Sequence, residues 1–441
     1  MTRRTVPPSA ASPGVGLRLY QSLSPTLCGF LPVAASFSRK LADGIDGRQG
    51  LMDRLTSAAD RLQDCIWFHV SSVGEYEQAR PLITALREFP GTPPIAVTHF
   101  SPSGYEYALK RPCADLHDYL PFDHPAEMER LLNSWRPRIL IFVKFDCWPN
   151  LVLAASRQGV PVTLLAGSLQ PGSARLLPVA RRLFRDVFNC FAHVGVCTPD
   201  DELRFRQELR VECPVTVTGD TRVEQVILRY EEARAGSTAA TLKAMGGPLL
   251  ILGSTWPPDE KLWLPILPEL LERHPGLRVV LTPHEPLPER LARLERSLAA
   301  SQVNTIRLSR LLAEPDQAKG AQVVITDSIG VLAEIYRAGD LAYVGGSFTT
   351  GVHNTMEPAV TGMPVLFGPV IRNAEEAGEL VRRGAGFVLE HPGQALDVAS
   401  GLLADPERMR QLGDIARQVV LEQRGATVRS MDVIKELLDK T

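Results

Sequence analysis

Residues 344–369 read VGGSFTTGVHNTMEPAVTGMPVLFGP, and this stretch contains the repeating unit of the predicted fold. A strand candidate ends at Val344 and leads into a glycine-rich loop. A helix candidate begins at Met356 and ends at Gly362, and a second strand candidate follows it. A strand, a loop, a helix and another strand in this order build parallel sheets that are flanked by helices. The stretch therefore predicts an α/β domain of the doubly wound type.

The same alternation extends from this stretch in both directions and divides the chain into two halves. Strand candidates in the first half lie at 65–70, 94–98, 118–121, 138–143, 161–165, 193–197 and 214–218. Those in the second half lie at 249–253, 278–282, 305–308, 322–326, 341–344, 364–367 and 386–389. One hydrophobic core usually organises no more than roughly 250 to 300 residues. We therefore predict two tandem domains, at 43–228 and 229–441, the second closed by C-terminal helices, with the ligand site in the cleft between them.

Composition argues against several classes of function. A net charge of -2 does not favour a surface built to bind nucleic acid. The seven cysteines include no C-x-x-C pair, so neither a disulfide framework nor a zinc site is indicated, and a reducing cytosol fits. No D-x-D pair, Walker A pattern or metal-spaced His and Cys cluster occurs. We therefore expect no metal and no cofactor, and a leaving group stabilised by helix ends and backbone amides.

Residues 1–42 form a cationic arm, because basic residues occur there and the first acidic residue is Asp43. Polar residues and prolines interrupt the uncharged segment 19–38, which makes it a poor membrane span. The arm could instead lie in an interface, with cations near anionic headgroups. The side chains expected to contact lipid are Leu17, Leu19, Tyr20, Leu23, Leu27, Phe30, Leu31 and Phe37. Alternatively, the arm is a tail that packs on its own domain.

The first loop with recognisable chemistry is Ser71-Ser72-Val73-Gly74-Glu75, which follows a strand and opens a helix. Gly74 permits a tight turn, and Glu75 then lies where the helix dipole favours a carboxylate. We expect its pKa to stay low and the group to be ionised. An ionised carboxylate at the mouth of a cleft is a candidate general base for a hydroxyl acceptor. The alternative is that Glu75 only caps its helix.

The loop within residues 344–369 predicts a nucleotide site. Gly345 and Gly346 permit close approach of the backbone, and a helix N-terminus beneath a glycine-rich loop can receive phosphate or carboxylate. Glu357 on that helix is suited to sugar hydroxyls. Each feature alone is weak, and His353 alone would be read as a structural histidine. In combination with Asn354 they are more specific.

Three further loops of the second half follow strands and are expected to face the same cleft. The residues they contribute are Ser254 and Thr255, Pro283 and His284, and Ile329, Gly330 and Val331. Each loop alone could be an ordinary turn with a helix cap. Their occurrence together at strand ends favours a binding site.

At these loops the sequence resembles the bacterial 3-deoxy-D-manno-octulosonic acid (Kdo) transferases, over about residues 40–430. The family motif S-S-x-G-E is present at Ser71–Glu75, and a block G-G-x4-G-x-H-N-x-x-E-P is present from Gly345 to Pro358. Further matches are Trp148-Pro149-Asn150, Gly253-Ser254-Thr255 and Phe367-Gly368-Pro369. The resemblance implies a GT-B fold of two Rossmann-like domains that transfers Kdo from CMP-Kdo to a lipid A precursor.

The resemblance also implies roles for individual residues. Glu75 would be the base that deprotonates the acceptor hydroxyl, and transfer would invert the anomeric centre. The residues that would contact CMP in the family block are Asn354, Thr355, Met356 and Glu357. The phosphate would meet amides near Ile329 and Gly330, while Arg222 would neutralise developing charge. Because the acceptor is a lipid, we expect the protein at the cytoplasmic face of the inner membrane, bound to an anionic surface.

Four positions depart from the family pattern. Many members have an acidic residue at Lys144, an Arg at His284, a Glu at Val331 and a Lys at Arg222. These departures leave a different sugar acid or acceptor open. Two other interpretations also remain, namely a UDP-sugar-using transferase or epimerase of similar architecture and a non-catalytic lipid- or nucleotide-binding relative.

Overall fold

The computed structural model describes residues 14–232, 237–315 and 320–440, which fall into two compact units. The chain passes from unit 1 to unit 2 between Gln225 and Val226 and returns to unit 1 between Arg424 and Gly425. Each unit consists of one parallel sheet with helices packed on it.

Unit 1 contains a seven-stranded sheet in the order β3-β2-β1-β4-β5-β6-β7. Its strands are β1 Ile66–Val70, β2 Ile95–His99, β3 Leu116–Tyr119, β4 Ile139–Val143, β5 Val162–Gly167, β6 His193–Val196 and β7 Val215–Val217. Strands β1 and β4 are buried along their whole length, as expected for central strands covered on both faces. In the core, Trp67 of β1 packs edge-to-face on Trp135 with ring centroids 5.0 Å apart.

The helices of unit 1 flank this sheet, and α6 to α10 each begin with a proline, whose fixed φ suits the first helical position. They are α1 Val15–Ala35, α2 Arg39–Asp46, α3 Leu51–Ser57, α4 Ala59–Leu62, α5 Val73–Arg87, α6 Pro102–Lys110, α7 Pro125–Trp135, α8 Pro149–Arg157, α9 Pro178–Phe188, α10 Pro199–Leu203, α11 Arg222–Glu232, which continues into unit 2, and α22 Ala426–Asp439. A 3₁₀ turn at Ala174–Leu176 and a π-helical turn at Arg204–Glu208 complete the unit.

Unit 2 contains a second seven-stranded sheet, in the order β10-β11-β9-β8-β12-β13-β14. Its strands are β8 Leu249–Thr255, β9 Arg278–Pro283, β10 Thr305–Arg307, β11 Val323–Ile325, β12 Leu341–Val344, β13 Val365–Phe367 and β14 Gly386–Val388. Its helices are α12 Ser237–Ala244, α13 Pro257–Trp263, α14 Leu267–Arg273, α15 Pro288–Ala300, α16 Leu308–Ala313, α17 Leu332–Tyr336, α18 Met356–Val360, α19 Glu375–Arg382, α20 Pro392–Leu403 and α21 Pro406–Leu421.

Strand order reverses once in each sheet, between β1 and β4 in unit 1 and between β8 and β12 in unit 2. Ligands of doubly wound sheets bind beyond the carboxyl ends of the strands at such a reversal. The loops in this position are those after β1 and β4 in unit 1, and those after β8 and β12 in unit 2. The doubly wound fold predicted from sequence is confirmed, and every predicted strand is present within a few residues.

The predicted domain limits need two corrections. Helix α22, assigned with residues 229–441 to the second domain, packs on unit 1, where Met431 and Ile434 join the core beside Phe68 of β1. Its start is fixed there because Glu224 accepts hydrogen bonds from the amides of Gly425 and Thr427. The periodicity of α22 predicts an apolar face but does not say which sheet it covers. The run Ala235-Gly236-Ser237 also predicts a break between two helices near this boundary, and residues 233–236 lie outside the described part of the chain.

The predicted separate arm at 1–42 is the second correction, although residues 1–13 lie outside the described part of the chain. Helix α1 is packed into unit 1, since Leu17 is 1% exposed and belongs to its core. Tyr20 donates a hydrogen bond to Asp123 (3.0 Å). Among the described residues, no helix is both long enough and apolar enough to cross a bilayer.

Candidate functional site

Glu75 lies in the first turn of α5, directly beyond the carboxyl end of β1. Ser72 is the N-cap of this helix, and its hydroxyl accepts a hydrogen bond from the amide of Glu75 (3.3 Å). The Glu75 carboxylate reaches back and accepts a short hydrogen bond from the amide of Ser71. The carboxylate thus stabilises the helix start, as the capping interpretation requires, and this bond also fixes the carboxylate in one position.

The expectation of a low pKa for Glu75 is wrong. The residue is only 6% exposed, and this burial, followed by the charge of Asp146, raises its pKa to about 7. The hydrogen bond from Ser71 and the charge of Lys144 lower the pKa, but they offset only part of the burial effect. A carboxyl with a pKa near the operating pH is well matched to general base catalysis.

Lys144 and Trp148 come from the loop after β4, the strand next to β1. Lys144 has a left-handed backbone conformation (φ 72°). Its backbone amide donates a hydrogen bond to Leu165 O of β5 (2.9 Å), which holds the loop against the sheet. Trp148 donates from Nε1 to Nε2 of His69 (2.8 Å), a buried residue whose pKa falls to about 3 through desolvation. The departure at position 144 therefore puts a cation near Glu75.

Asn150 of the Trp148-Pro149-Asn150 motif has a structural role that sequence reasoning did not identify. Its side chain donates to Ser24 Oγ of α1 (2.8 Å) and to Asp123 O (2.5 Å). The backbone amide of Asn150 donates to the Asp123 carboxylate (2.9 Å), which also accepts the hydrogen bond from the Tyr20 hydroxyl. The motif therefore fastens α8 to α1. The polar residues of α1 were the only signal for this contact in the sequence.

Arg222 belongs to unit 1 and is connected to the helix that carries Glu75. Its Nε donates to Asp220 Oδ2 (2.8 Å), and Gln78 of α5 donates to Asp220 Oδ1 (2.9 Å). Burial opposes ionisation of Asp220, but the Arg222 guanidinium and the hydrogen bonds lower its pKa overall. Sequence reasoning named Arg222 and missed Asp220, which pairs with the arginine charge.

Two of the predicted loops of unit 2 are joined by Asp259, a fully buried carboxylate on α13. It accepts hydrogen bonds from the amides of Trp256 (2.7 Å) and Gly346 (3.1 Å), and from the Tyr343 hydroxyl (2.5 Å). A Cβ on Gly345 would lie 2.4 Å from Ser254 O, so only glycine permits this approach of the β12 loop to the end of β8. Thr255 is itself buried and contributes to the loop framework more than to an open surface.

Three aromatic rings occupy the edge formed by the loops after β8, β9 and β12. Trp256 Nε1 donates to His353 Nε2 (2.8 Å), and the planes of these two rings are nearly parallel, with an interplanar angle of 15°. The His284 ring stacks on both, with centroids 4.7 Å from Trp256 and 4.5 Å from His353. Desolvation lowers the pKa of both histidines. The amide of His284, which follows the buried Pro283, donates to Thr255 O (2.9 Å).

The family block continues into α18. The side chain of Asn354 accepts a hydrogen bond from the amide of Met356 (3.0 Å), and the Thr355 hydroxyl donates to Glu376 (3.3 Å). Met356 is buried, so it can offer a ligand only its backbone. The Glu357 carboxylate is partly exposed and lies 3.9 Å from the Arg229 guanidinium.

Ile329, Gly330 and Val331 follow β11, which is separated from β8 by β9. Ile329 is 84% exposed, and Gly330 has the positive φ of 87° that favours glycine. The following helix α17 packs against β8, since a Cβ on Gly253 of that strand would lie 2.0 Å from the Tyr336 hydroxyl. Across the described ranges, no cluster of His, Cys, Asp or Glu side chains could hold a metal ion.

Sequence comparisons relate the chain to one family. The family model described as 3-deoxy-D-manno-octulosonic-acid transferase (kdotransferase) matches residues 44–225. The 3-deoxy-D-manno-octulosonic acid transferase of Chlamydophila psittaci is 31% identical over 77% of this chain and 78% of the relative. The enzyme of the same name from Bordetella pertussis is 29% identical over 85% of this chain and 87% of the relative.

Solved structures agree on the fold. The UDP-GlcNAc 2-epimerase of Neisseria meningitidis has a TM-score of 0.58 at 14% identity, over 81% of this chain and 99% of that chain. MurG of Acinetobacter baumannii has a TM-score of 0.54 at 14% identity, over 85% and 99%. At these identities the likeness shows the GT-B fold alone.

Proposed function

The chain belongs to the 3-deoxy-D-manno-octulosonic acid (Kdo) transferase family and is a glycosyltransferase, and we propose that it transfers Kdo from CMP-Kdo to a lipid A precursor with inversion. The observation that carries the proposal is the Glu75 carboxyl, which is fixed by the Ser71 amide and has a pKa raised to about 7. Such a group can exist as the free base near neutral pH and still bind a proton during the reaction.

In the proposed reaction, Glu75 takes the proton from the acceptor hydroxyl as that oxygen attacks the anomeric carbon of Kdo. The bond from this carbon to the CMP phosphate breaks, and CMP leaves with the electron pair. Attack from the face opposite the leaving group inverts the anomeric centre. Lys144, whose charge lowers the pKa of Glu75, favours the ionised starting state of the base.

We assign the donor nucleotide to unit 2. Glu357 is partly exposed and charged, which suits it to hold ribose hydroxyls, and the Asn354 side chain accepts a hydrogen bond from the Met356 amide at the start of the same helix. The exposed backbone at Gly330 offers amides to a phosphate. The remaining proposed contacts come from the loops that carry Ser254, His284 and His353. Arg222, which forms an ion pair with Asp220, would stabilise the negative charge that develops on the leaving group.

We assign a membrane surface as the place of action, on the evidence of the outer face of α1. Apolar side chains spaced three or four residues apart are exposed there, by 49% to 64%: Leu19, Leu23, Leu27, Phe30 and Val33. Apolar side chains exposed along one face of a helix can be buried in the interface of a bilayer. Leu17 and Tyr20, which the sequence assigned to lipid contact, instead face the protein. An anionic cytoplasmic leaflet would also attract the basic residues of the N-terminal segment.

The direct test is mass spectrometry of a lipid A precursor after incubation with the purified chain and CMP-Kdo. We expect a product heavier by one or more Kdo residues, and no product when UDP-GlcNAc replaces CMP-Kdo. Transfer from UDP-GlcNAc would support the UDP-sugar interpretation instead. Binding of CMP without any product would identify a non-catalytic relative.

A further inference from the structure

The Trp256 side chain makes a hydrogen bond that fixes the proton position on His353. An indole N–H can only donate, so the accepting Nε2 of His353 carries no proton. The neutral imidazole must then carry its proton on Nδ1. Desolvation, followed by the charge of His284, lowers the pKa of His353, which keeps the ring neutral at pH 7.

The surroundings of His353 hold its ring in one plane. His284 stacks on it at an interplanar angle of 12°, and the His353 amide donates to Gly345 O (3.1 Å). On the other side, a Cβ on Gly346 would lie 2.8 Å from Cδ2 of His353, so the ring occupies space that only glycine leaves free. Position, plane and tautomer of the ring are therefore all determined before a ligand arrives.

We propose that Trp256 is a positioning residue for donor binding, which holds His353 as a neutral Nδ1–H hydrogen-bond donor for an anionic oxygen of the nucleotide sugar. This inference rests on the proposed binding of CMP-Kdo in unit 2. A preset neutral donor suits a ligand that carries both a phosphate and a sugar carboxylate, because it provides a hydrogen bond without burying a further charge. Trp256 acts through His353 and needs no contact with the ligand.

The tautomer is tested on the full chain without ligand by ¹⁵N NMR of protein labelled at histidine, with the His353 signals identified from their loss in His353→Asn. We expect a protonated Nδ1 and an unprotonated Nε2 in the wild type. Trp256→Phe keeps a ring to stack on His284 but lacks the N–H, and it should shift His353 towards Nε2 protonation. Unchanged His353 signals in Trp256→Phe would overturn the inference.

The consequence for binding is tested by calorimetry with CMP-Kdo. Trp256→Phe should weaken binding by about three- to tenfold, because the competent tautomer becomes only part of the population. His353→Gln, which presents its amide at the Nε2 position, should lose about ten- to a hundredfold, whereas His353→Asn, which presents it near Nδ1, should retain most of the affinity.

The matched control is Trp263→Phe in α13, the helix whose N-cap residue is Trp256. Trp263 is buried, and its Nε1 has no hydrogen-bond partner in the described part of the chain, so this variant loses packing and an N–H but no hydrogen bond. A loss of affinity in Trp256→Phe no larger than in Trp263→Phe would overturn the inference. Absence of binding by the wild type would instead overturn the proposed donor and this inference with it, and the NMR result would still report on the tautomer.

Discussion

Glu75 is a residue whose burial destabilises the charged form that its proposed role requires. Because its folded pKa of about 7 lies above the ordinary glutamate value, the folded chain holds a proton that the unfolded chain releases between about pH 4.5 and 7. Stability therefore falls as the pH rises through this window. Ionisation of Glu75 costs stability, and the hydrogen bond from the Ser71 amide holds its carboxylate in one position. Such a group is an example of stability being lost where activity requires it.

We predict that Glu75→Gln lowers kcat by about 10²- to 10⁴-fold, because Gln cannot accept the proton. The same variant should be more stable than the wild type at pH 8, by about 2 to 3 kcal/mol, since the amide can still accept the Ser71 bond without burying a charge. Thermal unfolding at pH 8 and at pH 4.5 measures this, and the difference should largely disappear at the lower pH.

Wild-type activity should rise with pH through about 7, as Glu75 loses its proton. Glu106→Gln, at an exposed position of α6, is the control and should leave activity unchanged. Near-normal turnover of Glu75→Gln would remove Glu75 from the mechanism. A stability difference that persists unchanged at pH 4.5 would contradict the assigned pKa.

Glu357 supports a second prediction at the scale of a single residue. Glu357→Ala should weaken CMP binding by about ten- to a hundredfold, the usual effect of losing a charged hydrogen-bond partner. Glu407→Ala is a suitable control, because Glu407 is an exposed helical glutamate of the same unit. Calorimetric affinities that are equal for both variants would refute the assignment of Glu357.

Helix α1 shows how one element can serve both the fold and a surface. Deletion of the whole N-terminal segment would remove Leu17 from the core, the hydrogen bond that Tyr20 donates and the one that Ser24 accepts, so it cannot separate the two roles. We predict that Leu23→Ser with Leu27→Ser weakens binding to anionic vesicles by about tenfold or more, since both half-exposed side chains would lose burial in lipid.

Sedimentation with phosphatidylserine-containing vesicles measures the effect, and binding of the wild type should decrease with added salt. Leu109→Ser on α6 is the matched control, because Leu109 is also about half exposed (52%) and lies on another helix of unit 1. Equal loss in the control and the double variant, or no sedimentation of the wild type at low salt, would contradict the membrane assignment.

At the scale of elements, the sequence predicted strands well because a central parallel strand such as β4 is a continuous apolar run, and β1 departs from this pattern only at His69. The sheet on which α22 packs could not be predicted, because its apolar face suits either sheet.

The properties of single residues were predictable only where neighbours in the sequence determine them. The position of Glu75 at a helix start follows from the N-cap Ser72, but its pKa depends on burial by residues distant in sequence. The hydrogen bond from Trp256 to His353 joins the loop after β8 to the loop after β12, and the strands β9 to β12 lie between these two residues in the sequence.

The return of the chain to unit 1 has a consequence for the whole molecule, because α22 completes the core of a unit formed mainly by the N-terminal half. We predict that Ile434→Ala destabilises unit 1 by about 2 to 4 kcal/mol, as a buried Ile truncation does, and lowers its unfolding temperature by about 5 to 15 °C. Unit 2 contains no part of α22, so its unfolding and its CMP affinity should stay unchanged.

Differential scanning calorimetry with and without CMP separates the two units, because a ligand stabilises only the unit that binds it. In Ile434→Ala, the transition that CMP does not shift should move to lower temperature. Val428→Ala is the control on the same helix, since Val428 is 65% exposed, and it should leave both transitions in place. If Ile434→Ala instead lowered the CMP-sensitive transition alone, α22 would have to stabilise unit 2, as the sequence first suggested, and the assignment of the helix to unit 1 would be wrong.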